Sequence, residues 1–235
     1  MIPLRDSNPT RRTPVVTLSI ILVCFVVFAW ELGLQATSEA SLDAFVTAWG
    51  VVPAELLAAW GAGQFFSQET ATLVTSQFLH GGWLHLLGNL LYLWIFGNNI
   101  EDRLGRVLFV LFYLGGGVIA GLTQTLIDPD STIPLIGASG AIAATLGAYF
   151  VLFPGARITT LVFLGFFYQL IEVPAIVVLG FWFVLQLLDA VGSLGMEVGA
   201  GVAFFAHIGG FAAGALVAWL MIVSGRVPAR GSRVG

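Results

Sequence analysis

Apolar residues run through this chain in long blocks, with the polar positions pushed into the intervals between them. Six stretches, near 15–33, 83–100, 106–127, 137–154, 168–189 and 202–224, are each close to the roughly 20 residues that cross a bilayer as a helix. The interval 34–82 breaks the pattern. It carries Glu39, Asp43, Glu55 and Glu69 together with Trp49 and Trp60, and it ends at Trp83. Its apolar piece from Ala54 to Trp60 is too short to span and predicts an amphipathic segment lying at the interface. The shorter intervals are 128–136, polar and proline-containing, and 190–201, rich in glycine. Inverted halves of the kind many transporters show are not evident. Arg5, Arg11 and Arg12 precede the first stretch, as in a signal peptide, but that stretch ends in Trp30-Glu31 with no small-x-small cleavage site, so an uncleaved first span is expected.

Composition strengthens this reading. Of the 235 residues 58% are hydrophobic and only 9% charged, against about 25% charged in an ordinary soluble domain. The net charge of -4 is spread over several loops, and no nucleic-acid partner is expected. The basic residues are all arginines: Arg5, Arg11 and Arg12 before span 1, Arg103 and Arg106 between spans 2 and 3, Arg157 between spans 4 and 5, and Arg226, Arg230 and Arg233 after span 6. In a six-span chain every one of them falls on the same side. The positive-inside rule then makes both termini cytoplasmic. The expected organisation is an all-α integral membrane bundle of six helices over 15–224, between short basic tails at 1–14 and 225–235. Cys24, the single cysteine, lies in an apolar run, so neither an internal disulfide nor a thiolate metal site is available.

Two polar residues stand inside apolar stretches where a bland packing role does not require both. Ser139 lies near the start of span 4 and His207 near the start of span 6, about 8 Å down its helix by a rise of 1.5 Å per residue. An ionisable group at bilayer depth marks a functional site by default. A hydroxyl with an imidazole to take its proton is the minimum equipment for covalent hydrolysis. Ser139 Oγ would attack a carbonyl, and His207 would accept its proton and later return it to the leaving amine. No carboxylate lies in 137–154 or 202–224, which predicts a dyad without an acidic third member. His85 and Asn89, four apart on one face of span 2, and the Ser139 backbone N–H are candidates for holding the oxyanion. His80 is expected to support the site or line its entry. Ser139, Ala143 and Gly147 form one stripe of small residues, and His207, Gly210 and Gly214 another, at spacings that let membrane helices approach closely. The three histidines are poorly spaced for a two-histidine zinc motif, and no metal or other cofactor is expected.

In Gly137-Ala-Ser-Gly140, Ala206-His207-x-x-Gly210-x-x-x-Gly214 and His80-x4-His85-x3-Asn89, the chain resembles the rhomboid family of intramembrane serine proteases, bacterial six-span type. The resemblance covers 15–224 and implies a rhomboid-like bundle. It also implies Ser139 as nucleophile, His207 as base, His85 and Asn89 at the oxyanion, and His80, Gly137, Gly140, Gly210 and Gly214 in support. Gly210 would pack span 6 on span 4. Glu101 matches a structural glutamate, and Trp182 and Gln186 fall on the span that moves aside for substrate. Two departures stand out. Ala143 occupies the place of an aromatic that packs on the catalytic histidine in well-known bacterial members. The long loop also lacks the Trp-Arg pair of many relatives, because no arginine lies between Arg12 and Arg103.

The expected partners are therefore membrane lipid and transmembrane proteins whose helices contain small, helix-destabilising residues. The alternative from a non-enzymatic class is an inactive relative that binds membrane clients, against which stand the retained serine and histidine. A solute transporter is disfavoured by the one-sided site, an aspartyl protease by the missing aspartate pair; lipid hydrolysis is left open by the dyad alone. A bacterial inner membrane is the expected location.

Overall fold

The computed structural model describes residues 2–164, 167–193 and 203–226. In chain order the elements are β1 (Ile2–Asp6), α1 (Val15–Thr37), α2 (Glu39–Trp49), α3 (Pro53–Gly61), α4 (Gln68–Thr75), α5 (Trp83–Tyr92), α6 (Asn98–Leu104), α7 (Arg106–Ile127), α8 (Ser139–Leu152), β2 (Arg157–Leu164), β3 (Phe167–Pro174), α9 (Ala175–Ser193) and α10 (Phe204–Val223). A 3-10 turn at Ser76–Phe78 follows α4, and a π-turn at Leu93–Gly97 joins α5 to α6. Among the described residues four helices are long and apolar enough to cross a membrane: Val15–Thr37, Arg106–Ile127, Ala175–Gly192 and Phe204–Val223. Their outward faces carry large apolar side chains, among them Leu22, Val26, Val107, Leu111 and Leu188. A fold of this kind suits lipid rather than water, and the chain is an integral membrane protein.

The expected spans 1, 3 and 6 coincide with α1, α7 and α10 to within a few residues. Span 2 is a helical run broken by the π-turn, which inserts an extra residue into the helical repeat. Span 4 shortens to α8, 14 residues long. Span 5 is displaced: 168–174 belongs to β3, and the helix starts only after Pro174. The cause is a hairpin. Ile158, Thr160 and Val162 of β2 stand opposite Val173, Ile171 and Gln169 of β3, and all of these but Gln169 are β-branched and favour a pleated surface. Pro174 cannot donate within the ladder and suits a helix start instead. The basic N-terminal tail is likewise no free tail, because β1 pairs antiparallel with β2 and completes a three-stranded sheet in the order β1-β2-β3. The glycine-rich interval 190–201 and the tail 225–235 lie largely outside the described residues.

The core sits between α7, α8 and the π-turn, where Phe96, Phe109, Tyr113 and Tyr149 are fully buried. Phe96 and Tyr149 meet edge to face at 4.9 Å. Glu101 of α6 caps α1: its carboxylate accepts from the backbone N–H groups of Val16 and Thr17 and from Thr17 Oγ1, at 2.8–2.9 Å. These are first-turn amides with no partner inside the helix.

The interval after α1 folds into α2, α3 and α4, with Leu56 and Ala59 of α3 turned inward. Other bonds replace the missing Trp-Arg pair. Trp60 Nε1 donates to Thr70 Oγ1 at 2.8 Å, Gln68 Nε2 to the Ala48 carbonyl at 2.9 Å, and Thr75 Oγ1 to the Trp49 carbonyl at 2.8 Å. Val51 and Leu135 exchange backbone hydrogen bonds, which ties this region to the segment leading into α8.

Candidate active site

Ser139 is the first residue of α8, and the chain reaches it through a constrained turn. Gly137 has φ +121°, a conformation L side chains rarely adopt, and its N–H donates to the Ser76 carbonyl at 2.9 Å. The amides at the start of α8 have no intrahelical acceptor, so the helix presents N–H groups and the positive end of its dipole at the serine.

Next to this turn stand the two polar residues of α5. A Cβ built on Gly137 would lie 2.7 Å from His85 Nε2 and 3.6 Å from Asn89 Nδ2. The Gly81 N–H points at His85 Nδ1 at 3.4 Å, which makes Nδ1 an acceptor and puts the ring proton on Nε2, facing the turn. Asn89 Nδ2 is buried with no acceptor among the described residues. Two donors thus face the entrance to α8, and for the buried Asn89 amide the missing acceptor costs stability unless something uses it.

The approach of α10 to α8 is set by backbone contact. Any side chain on Gly210 would overlap the Gly140 carbonyl and lie 3.3 Å from the Ala143 Cβ; one on Gly214 would overlap the Ala144 carbonyl. On α8 the contact face is therefore Gly140, Ala143, Ala144 and Gly147, broader than the Ser139-Ala143-Gly147 stripe alone. The contacts pair rising numbers with rising numbers, so the helices run parallel; α8 begins one residue before Gly140 and α10 six residues before Gly210, so α10 starts more than a turn further out. His207, one turn before Gly210, sits on the first turn of α10 rather than 8 Å down it, because the helix starts at Phe204. Ser139, one residue before Gly140, is half-buried and His207 buried. No hydrogen bond joins their side chains; catalytic bonds are commonly loose without substrate.

His207 is held by α9. Its Nδ1 lies 2.6 Å from Gln186 Oε1, and its ring centroid 6.0 Å from that of Trp182. The Ala206 N–H meets Gln124 Oε1 of α7 at 3.3 Å. His80 lies behind the site. Its N–H is shared by both oxygens of the buried Glu31, its Nδ1 faces the Phe78 carbonyl at 3.2 Å, and its ring meets that of His85 at 5.2 Å. Burial, with His85 beside it, pushes His80 down to about 4, so the ring is neutral at ordinary pH. Glu31 and Gln124 are partners that sequence reasoning missed; the only signal for them is a carboxylate and an amide standing in apolar runs. Among the described residues no group of histidine, cysteine and carboxylate side chains is placed to hold a metal ion.

Known proteins resemble this chain over the same region. The profile of the rhomboid domain matches residues 67–224, two thirds of the chain. Rhomboid protease GluP of Bacillus subtilis (strain 168) is 34% identical over 160 residues, 67% of this chain and 30% of that protein. Rhomboid-like protein 11, chloroplastic, of Arabidopsis thaliana is 42% identical over 69 residues, 29% of this chain and 24% of that protein. Rhomboid protein 1, mitochondrial, of Saccharomyces cerevisiae (strain ATCC 204508 / S288c) is 29% identical over 153 residues, 63% of this chain and 41% of that protein. The chain thus spans well under half the length of these relatives. Its matched region nevertheless contains α5, α8 and α10 with His80, His85, Asn89, Ser139 and His207, and with that match the chain belongs to the rhomboid family.

Proposed function

We propose that this protein is an intramembrane serine endopeptidase that hydrolyses peptide bonds in or near the transmembrane helices of other membrane proteins. Ser139 is the nucleophile and His207 the general base, later the acid toward the leaving amine. His85 Nε2–H, Asn89 Nδ2 and the Ser139 N–H receive the oxyanion, with His80, Gly137, Gly140, Gly210 and Gly214 in support. The observation that carries the reading is the placement of His85 Nε2 and the buried, unpaired Asn89 Nδ2 together at the turn into α8. A client-binding protein has no evident use for a buried amide donor left unpaired at a cost of about 1–3 kcal/mol. No cofactor is required by this chemistry.

The domain is read as six membrane-spanning segments over 15–224, with α5–α6 and α8 completing the four long helices, and with both termini on the arginine side. A bacterial inner membrane is the proposed location, in keeping with the Bacillus subtilis relative. Substrate helices hide their carbonyls in i→i+4 bonds, so those with small or helix-weakening residues near the cut are preferred.

The test is cleavage of a single-span substrate in liposomes by the wild type, Ser139→Ala and His207→Ala. Loss of cleavage by at least about a thousandfold in both variants is expected, as is slower cleavage of substrates with a stabilised helix around the cut. Cleavage surviving in Ser139→Ala would remove the nucleophile assignment. Correctly folded protein that cleaves nothing would favour the client-binding alternative.

A further inference from the structure

The face of α8 that meets α10 carries only small residues: Ala143 is fully buried, and its methyl group lies 3.3 Å from a Cβ built on Gly210. What holds the imidazole comes from α9. Trp182 and Gln186 are four residues apart, hence on one face of that helix. Trp182 lies over the His207 ring at 6.0 Å with the planes inclined by 39°, and it also meets Phe211 at 6.1 Å. Phe183 stacks on Phe211 at 4.5 Å and fixes the height of α9 against α10. Gln186 Oε1 faces His207 Nδ1 at 2.6 Å, a short contact for a neutral pair.

A carbonyl oxygen can only accept. The proton of a neutral His207 therefore resides on Nδ1, and Nε2 keeps its lone pair. We propose that Gln186 is the positioning residue of the dyad: it fixes the Nδ1–H tautomer and aims Nε2 toward Ser139. The inference rests on the protease reading above, and it takes the orienting function away from α8 and gives it to α9. In soluble triads a carboxylate at this place both orients the ring and stabilises its charged form. A neutral amide supplies only the first, in keeping with the absence of carboxylates from 137–154 and 202–224. The other titratable side chain acting on His207 is His85 of α5; Asp189, the nearest carboxylate on α9, is exposed.

Two substitutions separate orientation from packing. Gln186→Met keeps the length and bulk but has no strong acceptor, whereas Gln186→Glu keeps the acceptor and adds charge. With a single-span substrate in liposomes, Gln186→Met is expected to lower kcat by about 10–100-fold with KM unchanged. Gln186→Glu should retain kcat within a few-fold at high pH, while the acidic limb of its pH–rate profile moves to higher pH, because a carboxylate beside the ring favours the imidazolium. A kcat for Gln186→Met equal to wild type, or an unmoved limb in Gln186→Glu, would overturn the proposal.

A second measurement does not depend on turnover. With three histidines in the chain, the imidazole 15N spectrum can be assigned by single substitution. The Nδ1–H form of His207 is expected in the wild type and a mixture in Gln186→Met; the same mixture in both proteins would refute the assignment whether or not the chain cleaves. Ser139→Ala in the same assay judges the protease reading separately, so the two failures are distinguishable.

Discussion

His80 makes the strongest single-residue prediction. It is 2% exposed and held neutral by burial, with its N–H shared by Glu31 and its Nε2 lacking a partner. The unfolded chain takes up a proton near the ordinary value of 6.5, whereas folded His80 resists until about 4. Stability attributable to this residue is therefore full above pH 6.5, falls as the pH drops toward 4, and levels off below. Thermal midpoints in detergent between pH 7 and pH 4 should decline with a slope that is shallower in His80→Asn; equal slopes would mean that His80 does not carry the effect. Ser139, His85, Asn89 and His207 stand out in the sequence as candidates because each interrupts an apolar run. Their partners do not. That Glu31 meets His80, or that Gln186 meets His207, depends on which helices adjoin, and spacing along one helix carries no information about that.

At the scale of the elements, the cap on α1 joins two segments that sequence separation keeps apart. Glu101 alone receives two backbone donors and a hydroxyl from the first turn of α1. Glu101→Ala leaves those donors unmet and is expected to cost roughly 2–3 kcal/mol, at the upper end for bonds to a charged acceptor. A lowered thermal midpoint with the dyad residues untouched would be the sign; an unchanged midpoint would show that water or lipid headgroups replace the cap. Spans 1, 3 and 6 could be read from apolar length alone. The hairpin of β2 and β3 could not, because a short apolar run of eight residues fits a strand and a buried helix equally well by periodicity. The π-turn at Leu93–Gly97 leaves no mark in composition for the same kind of reason: it is one extra residue in a helix of ordinary sequence.

For the whole molecule, the arrangement of arginines predicts an orientation that labelling can check. Thr13 and Gln64 are both exposed and lie on opposite sides in the six-span reading. Cys24 is buried, so background labelling should be low. A membrane-impermeant maleimide should reach Thr13→Cys only in inverted vesicles and Gln64→Cys only in right-side-out vesicles; the reverse pattern would invert the topology. The length of α8 then acquires a meaning of its own. Fourteen residues at 1.5 Å each make a rod of about 21 Å, set in a hydrocarbon layer about 30 Å thick. In the six-span reading the far end of α8 lies at the arginine side, and a rod of that length upright in the layer falls short of the opposite surface by about 9 Å, with Ser139 at the shortfall. The helix serves as a ruler. On the proposed protease reading it fixes how far below the surface a bond must descend to be cut, so adding one turn to α8 would raise the plane of cutting by about 5 Å and select a different bond in the same substrate.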